Sequence, residues 1–397
     1  MNDAVAGKIR ADVEALCALG DRDLGTARNR AATDYVGSRL REAGVEVESI
    51  EFDVPEWRFG TATVETGELK LEMHPGPFSM SVDGEGPLVV VRTAEELSDV
   101  APGAVLLLCG EIAASQLTPR DYPFYGDPGH AAILDSLEAI EPLAVIAATT
   151  ESAMTGAMSP FPLIEEVRFG VPSAYMTAEE GVRLAGHVGA LTSVSITSEV
   201  HASSSVQLSG LQRGASEGRI VVSAHVDSKP ETPGAIDNAA GVGVMLAVAD
   251  LLGEVDSLRT VEYVAFNGED HTLAAGELAW LAANEDLSDI VLAINIDAVG
   301  LPGDPSAYSL YGVDETTADL IADVSAKHPG VAEGPPWPAS DHMVFAMRGV
   351  PAVALTSTDF ATASRVYSHT PRDVPEILDY GLLADTARFV AALVRAI

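Results

Sequence analysis

The chain has 397 residues, of which 47% are hydrophobic, and this composition predicts a folded protein with a large core. Its formal net charge is −36, from 59 acidic and 23 basic residues. An acidic surface repels polyanions, so the composition argues against nucleic-acid binding and against attachment to an anionic membrane.

Cysteine content and the N-terminal sequence bear on the cellular compartment. Cys17 and Cys109 lie far apart and match no disulfide or zinc pattern. The start MNDAVAGKIRADVEAL lacks the basic segment and apolar run of a signal peptide. The sequence has no run of about 18 apolar residues, so we predict no transmembrane helix. We therefore expect a cytoplasmic protein.

The first fifty residues predict two helices and a strand. Apolar residues recur with helical spacing in ADVEALCAL and in TARNRAATDYVGSRLREAG, where Gly44 is a suitable stop. VEVESIEFDV then alternates as a strand does.

Residues 55–199 differ from the preceding segment in composition and pattern. The β-like runs GPLVVVR, GAVLLLCG and PLAVIAATT stand between loops rich in proline and glycine. VPSAYMTAEEGVRLAG predicts a strand followed by a helix, with Thr177 and Glu180 spaced as a capping box. We predict a β-rich domain inserted into the main one.

From residue 200 onward, predicted strands and helices alternate. RIVVSAHV, TVEYVAFN, IVLAINID and VPAVALT read as strands, and helical patterns such as NAAGVGVMLAVADLLG lie between them. Such alternation predicts βαβ units and a largely parallel sheet. The chain is thus predicted to hold one α/β domain, residues 1–54 and 200–397, interrupted by the insert 55–199.

Acids and imidazoles follow the strands of this second half where each strand ends. Open α/β sheets bind ligands beyond the carboxyl ends of their strands. The residues concerned are His225, Asp227, Asp237, Glu269, Asp270, Asp297 and His369. Each alone also fits a helix cap, a turn or a solvated loop. Together, their like charges would repel unless a cation offsets them.

The donor types indicate which cation. Histidine and carboxylate without cysteine suit a divalent metal such as zinc, cobalt or manganese. Two imidazoles and three carboxylates exceed the three protein ligands of a mononuclear catalytic zinc site. Two metals that share one carboxylate are the economical interpretation.

The order and spacing of these motifs resemble peptidase family M28, a family of dinuclear zinc aminopeptidases and carboxypeptidases. The resemblance runs through His225-x-Asp227, GAIDN, GED, NIDAVG, ASDHMVFAMRGVPAV and YSHTPRD, and the helical N-terminus is similar to the family's opening. The insert resembles a protease-associated domain more weakly. The implied fold is a phosphorylase/hydrolase-like αβα sandwich with a mixed, largely parallel sheet.

The resemblance implies a ligand set for two divalent ions, Zn²⁺ first and Co²⁺ or Mn²⁺ as alternatives. Asp237 would bridge the ions. His225 and Asp297 would complete one ion, and Asp270 and His369 the other.

Further roles follow from the same resemblance. Glu269 would be the general base. Asp227 would fix the tautomer of His225 by accepting its second N–H. The family also has a cis peptide after the bridging aspartate, which would lie between Asp237 and Asn238.

The sequence departs from the family pattern in three places. Glu269-Asp270 replaces the usual Glu-Glu pair, Tyr367 stands two residues before His369, and His271 follows the pair where small residues are usual. We expect His271 at the surface or at the substrate. The predicted substrate-binding residues are Tyr367, Trp337 and Phe360.

Four functions compete. An exopeptidase acting on small peptides leads, most simply an aminopeptidase. A carboxypeptidase would need a cation such as Arg348 or Arg365 for the substrate carboxylate. A glutaminyl-cyclase-like transferase would hold a single zinc, and a receptor-like binding module would hold none. The sequence leaves homo-oligomerisation open.

Overall fold

The computed structural model describes residues 2–152, 155–253, 259–271, 273–303, 305–337 and 340–397. The chain forms two compact units. The main unit comprises Met1–Val54 and Ser204–Ile397, and the inserted unit comprises Pro55–Ser203.

The chain begins with two helices and a long strand, α1 (Asn2–Cys17), α2 (Ala27–Glu42) and β1 (Glu46–Thr66). Ile9, Val13 and Leu16 lie on one face of α1 and are fully buried. Thr26 caps α2 by accepting a hydrogen bond from the Asn29 amide at 3.2 Å. Both helices occur where the sequence pattern predicts them.

The inserted unit is a sheet accompanied by helices. Its elements are β2 (Leu69–Pro75), β3 (Val82–Val91), β4 (Val105–Leu108), α3 (Pro128–Ile140), β5 (Ala144–Thr149), β6 (Ser173–Thr177) and α4 (Ala178–Ala185). Strands β3, β4, β5 and β6 pair in parallel, and β2 is antiparallel to β6. The predicted capping box is confirmed, since Thr177 and Glu180 exchange side-chain to backbone hydrogen bonds.

The remaining elements belong to the main unit, which the chain re-enters along β7 (Leu191–Gln212). They are β8 (Ser216–His225), α5 (Ala240–Gly253), β9 (Arg259–Phe266), α6 (Ala275–Ala283), β10 (Ile290–Ile296), β11 (Ser306–Tyr311), α7 (Glu315–Ser325), β12 (Val331–Glu333), α8 (His342–Ala346), β13 (Ala352–Ser357), α9 (Phe360–Thr362) and α10 (Tyr380–Ala396).

The sheet of the main unit is mixed and largely parallel, as predicted. Its strand order is β7-β9-β8-β10-β13-β11-β12. Strands β9, β8, β10 and β13 form three successive parallel pairs, β12 is parallel to β11, and the antiparallel pairings are β7 with β9 and β11 with β13. Helices α1, α5 and α10 pack against one another beside this sheet.

Residues 235–253 have the length and apolar composition of a membrane span, but 89% of the window that meets this test is buried inside the protein. The last fourteen of these residues are α5, whose buried side chains include Val242, Met245 and Leu246. The apolar composition of α5 therefore reflects its place in the core.

Candidate metal centre

Three neighbouring parallel strands carry most of the candidate ligands to one edge of the sheet. β8 ends at His225, β9 ends three residues before Glu269, and Asp297 follows β10 directly. Ser223 on β8 is paired with Asn295 on β10, so His225 and Asp297 emerge side by side. The alternation of strand and helix in the sequence is what places these side chains together.

Asp237 reaches the same edge from the turn before α5. The peptide bond between Asp237 and Asn238 is cis, as the family resemblance implies. The Asn238 amide donates to the Ile296 carbonyl at 2.9 Å, and its oxygen accepts from the Gly241 amide at 3.0 Å. These contacts tie the turn to the end of β10.

The side chains of Asp237 and the two histidines form the centre of the cluster. Asp237 Oδ1 lies 3.3 Å from His225 Nε2, and Oδ2 lies 3.1 Å from His369 Nε2. His369 Nε2 is also 3.0 Å from Asp270 Oδ1, and His225 Nε2 is 3.5 Å from Asp297 Oδ1. One carboxylate therefore faces two imidazoles, each of which has a second carboxylate beside it.

The donor atoms fit divalent metal ions. Two ligands of a tetrahedral zinc ion, each about 2.0–2.2 Å from it, stand roughly 3.4 Å apart, close to the separations found here. Ligand atoms of His225, Asp237 and Asp270 all lie within 4.8 Å of one another. His225 Nε2 and Asp270 Oδ2 are buried and make no hydrogen bond within the described part of the chain. Buried polar atoms of this kind need a partner.

The electrostatics of the cluster also favour a cation. Burial alone would lower the pKa of His225, but Asp297, Asp227 and Asp237 raise it well above its usual value. His369 behaves in the same way beside Asp270 and Asp237. The carboxylates thus favour positive charge at both imidazoles, and a bound cation would supply such charge.

Glu269 differs from the ligand candidates in its contacts. Its Oε2 is 4.0 Å from His225 Nε2, and 22% of its side chain is exposed. Burial, together with the nearby Asp297 and Asp270, raises its pKa well above the usual value for glutamate. A carboxyl group at the open side of the cluster can exchange protons with a bound molecule.

Asp227 contacts the loop that carries Glu269 as well as His225. Its carboxylate accepts hydrogen bonds from the amides of Gly268 at 2.9 Å and Asp270 at 3.0 Å. His225 Nδ1 is 3.2 Å from the Asp227 carbonyl oxygen and 3.6 Å from its carboxylate. The carbonyl is thus the nearer acceptor for the His225 N–H, and the carboxylate holds the loop that carries Glu269.

Three further buried acids lie around the cluster, and sequence reasoning missed two of them, Asp373 and Glu277. Asp373 accepts hydrogen bonds from the amides of Ile236 and Asp237 at 2.6 and 3.1 Å, and burial raises its pKa to about 7. Glu277 and Asp341 are 1% and 2% exposed. Burial raises the pKa of Glu277 to about 8 and that of Asp341 well above its usual value. Asp373 and Asp341 lie in motifs quoted above, which was the available signal.

The predicted substrate-binding residues fall into two groups. Trp337 and Phe360 pack against each other with ring centroids 4.9 Å apart and ring planes tilted by 39°, and Trp337 is 9% exposed. Tyr367 instead packs against the main hydrophobic core, and its carbonyl accepts a hydrogen bond from Thr370 Oγ1 at 2.7 Å. The expectation that His271 lies at the surface is wrong, since it is only 4% exposed.

The fold and this donor set are those of a metallopeptidase. Residues 207–394 match the model of Peptidase family M28. This part of the chain is therefore an M28 peptidase domain, and the resemblance seen in the sequence motifs is confirmed.

Two curated relatives are similar over most of the chain. The probable lipoprotein aminopeptidase LpqL of Mycobacterium tuberculosis is 25% identical over 75% of this chain, and the match spans 58% of LpqL itself. Aminopeptidase YwaD of Bacillus subtilis is 22% identical over 95% of this chain and 81% of its own length.

Solved structures share the fold. The zinc aminopeptidase BSAP of Bacillus subtilis has a TM-score of 0.73 at 21% identity, covering 98% of this chain and 94% of that chain. A glutaminyl cyclase of Porphyromonas gingivalis has a TM-score of 0.54 at 15% identity, covering 98% and 97%. At such identities the likeness establishes the fold alone.

Proposed function

We propose that the protein is a dinuclear metal-dependent aminopeptidase that hydrolyses small peptides. The observation that carries the proposal is the placement of Asp237, whose two carboxylate oxygens face His225 and His369 separately, at 3.3 and 3.1 Å. A carboxylate in this position suits a bridge between two ions.

The remaining donors divide between the two sides of Asp237. His225 and Asp297 would hold one ion, and Asp270 and His369 the other. Zinc suits these ligands, and cobalt and manganese are the alternatives. A pair of such ions, when bound, lowers the pKa of a shared water and polarises the scissile carbonyl.

Glu269 would act as the general base. Its partial exposure and its position beside His225 leave it free to take a proton from water and return it to the leaving amine. Asp227 would keep this base in place, because its carboxylate binds the amides on either side of Glu269, those of Gly268 and Asp270.

Aromatic rings near the cluster would receive an apolar substrate side chain. Trp337 contacts Phe360 and His342, and His342 contacts Tyr311. His342 is near enough to Asp297 for that carboxylate to act on its pKa. We propose Trp337 and Phe360 as contacts of the substrate side chain, and the packing of Tyr367 favours a structural role for it.

The acidic character of the centre favours a substrate with a free amine. Glu269 and Asp297 are available to a substrate ammonium group. The cations suggested for a carboxypeptidase are exposed, and Arg348 donates to the carbonyl of Val344 in the preceding helix α8. The presence of both His225 and Asp297 beside Asp237 favours two ions over the single zinc of a cyclase.

A substrate panel tests the proposal. Dipeptides and aminoacyl nitroanilides with free or acetylated N-termini would be assayed with zinc, cobalt and manganese, alongside an N-terminal glutaminyl peptide assayed for ammonia release. We expect cleavage that requires the free amine. Equal cleavage of the acetylated substrates, or ammonia release without hydrolysis, would contradict an aminopeptidase.

Other sequence-based expectations stay predictions. They are the cytoplasmic location, the lack of nucleic-acid and membrane partners, and the protease-associated character of the insert. Peptide is the proposed substrate class.

A further inference from the structure

A buried arginine outside the matched family segment contacts the loop between two candidate ligands. Arg22 precedes α2, and its side chain is 0% exposed. Its guanidinium donates to the carbonyls of Val226 at 2.7 Å, Pro233 at 2.5 Å and Gly234 at 2.9 Å. A planar guanidinium can serve several acceptors in fixed directions, which an ammonium group cannot.

These three carbonyls lie at the two ends of one loop. Val226 follows His225 directly, and Gly234 stands three residues before Asp237. Arg22 therefore joins the exit from β8 to the turn that presents Asp237. The buried carbonyls would otherwise lack donors, so loss of the guanidinium leaves the loop ends unsatisfied.

The close approach at Gly234 shows how tightly this loop is held. Its φ of +65° favours glycine, and an added Cβ would lie 2.7 Å from Arg22 Nη2 and 2.6 Å from the Asp237 carbonyl oxygen. A side chain here would push apart the guanidinium and the turn that carries Asp237.

The backbone of Arg22 is fixed as well. Its amide donates to Ser228 Oγ at 3.0 Å, and its carbonyl accepts from Asn29 Nδ2 at 2.9 Å. The same Asn29 nitrogen donates to Asn267 Oδ1 at 2.7 Å, two residues before Glu269. The N-terminal segment thus contacts two of the loops that build the metal centre.

We propose that Arg22 is a positioning residue that sets the separation of His225 and Asp237 and thereby the affinity of the centre for metal. The proposal rests on the ligand assignment made under the proposed function. Residues that orient metal ligands typically contribute 10- to 100-fold in affinity.

The test compares Arg22→Lys with Arg219→Lys. Arg219 is a matched control because it lies near the start of the same strand, β8, and forms a largely buried ion pair with Glu262 at 2.9 Å. Amide hydrogen exchange would be measured on both metal-free variants, and zinc affinity by competition with a chromophoric chelator. We expect Arg22→Lys to speed exchange in residues 226–237 and to weaken zinc binding at least 10-fold, with partial recovery in added guanidinium. The control should do neither.

Unchanged exchange in residues 226–237 together with parental zinc affinity would overturn the proposal. Hydrogen exchange in the metal-free chain measures the order of the loop even if the parent binds no zinc. Failure of the Arg22 proposal can therefore be distinguished from failure of the proposed function. If Arg22→Lys does not fold, Gly234→Ala provides the second variant, since it retains the guanidinium and displaces it. Parental exchange and affinity in a folded Gly234→Ala would also overturn the proposal.

Discussion

At the residue scale, Asp237 concentrates the chemistry of the cluster. Burial alone would raise its pKa, but contacts from His225 and His369 hold that pKa below the usual value for aspartate. The carboxylate therefore stays ionised in the metal-free chain, ready to accept a cation. Its geometry is set by groups that do not bind metal, the amide of Asn238 and the carboxylate of Asp373.

Replacing Glu269 by glutamine tests the base directly. Glutamine keeps the size of the side chain but cannot accept a proton, so we expect kcat to fall by about 10²–10⁴-fold. Zinc content should stay at the parental value, because Glu269 is not a proposed ligand. Steady-state kinetics and metal analysis measure both, with the exposed Glu285→Gln as control. A variant with parental kcat would show that the base lies elsewhere.

His342 gives stability a distinct pH dependence. Burial lowers its pKa to about 4, against about 6.5 in an unfolded chain. Between these values the unfolded state binds the proton and the folded state does not, so stability falls as pH drops from about 6.5 to 4. Over this pH range, the free energy of unfolding should fall by roughly 2–3 kcal/mol less in His342→Gln than in the parent.

Urea unfolding of the metal-free protein at pH 7.5 and 4.5 measures the effect. The matched control is His201→Gln, since the His201 side chain is 42% exposed. Parallel pH dependence in parent and His342→Gln would contradict a buried neutral imidazole.

The sequence predicts the metal donors better than it predicts the residues that hold those donors in place. His225, Asp270 and Asp297 could be found because each follows a strand whose apolar run is visible in the sequence. Arg22 and Asp373 contact the same loop but lie far from it in the sequence. Arg22 is 204 residues before its partner Val226, and Asp373 is 137 residues after its partner Ile236. Hydrophobic periodicity does not predict contacts between residues so far apart. His271 was misplaced because a polar residue in a loop looks solvent-exposed.

At the element scale, helix α5 depends on a close approach to β10. Gly241 lies in its first turn, where an added Cβ would be 2.3 Å from Asn238 Oδ1 and 2.4 Å from the Ile296 carbonyl oxygen. Both atoms belong to segments adjoining candidate ligands. Packing α5 against the sheet therefore also fixes the positions of Asp237 and Asp297.

Replacing glycine by alanine should have opposite effects on the free energy of unfolding in α5 and in α1. Gly241→Ala should lower the free energy of unfolding by roughly 1–3 kcal/mol, because the methyl group meets backbone that cannot move cheaply. Gly7→Ala in α1 should raise it by about 0.5–1 kcal/mol, because no atom lies within 4 Å and alanine favours the helix. Urea titration gives both values, and equal effects would contradict the packing described for α5.

The pattern of elements was predictable in part. β8 and α10 could be predicted because the buried residues of β8 form one continuous, mostly apolar run and those of α10 recur with helical spacing. β7 was missed because few of its 22 residues are strongly apolar, so its alternating burial leaves only a faint alternation in the sequence. The predicted start of α5 at Asn238 was also early, since Asp237 and Asn238 have non-helical backbone angles.

At the scale of the whole molecule, the net charge of −36 opposes compactness. Salt shortens the screening length from about 10 Å at 0.1 M to about 3 Å at 1 M. We expect the Tm to rise by several degrees between 0.1 and 1 M KCl. Thermal unfolding of protein with its metal content held constant measures this, and a falling Tm would show that attractive ion pairs outweigh the repulsion.

The most direct test of the whole account is the number of zinc ions bound per chain after dialysis, measured by elemental analysis against protein concentration. The convergence of two histidines and three aspartates, with Asp237 shared between the two halves, predicts two ions in the parent. Saturation at one ion, or the absence of bound metal, would contradict a dinuclear centre.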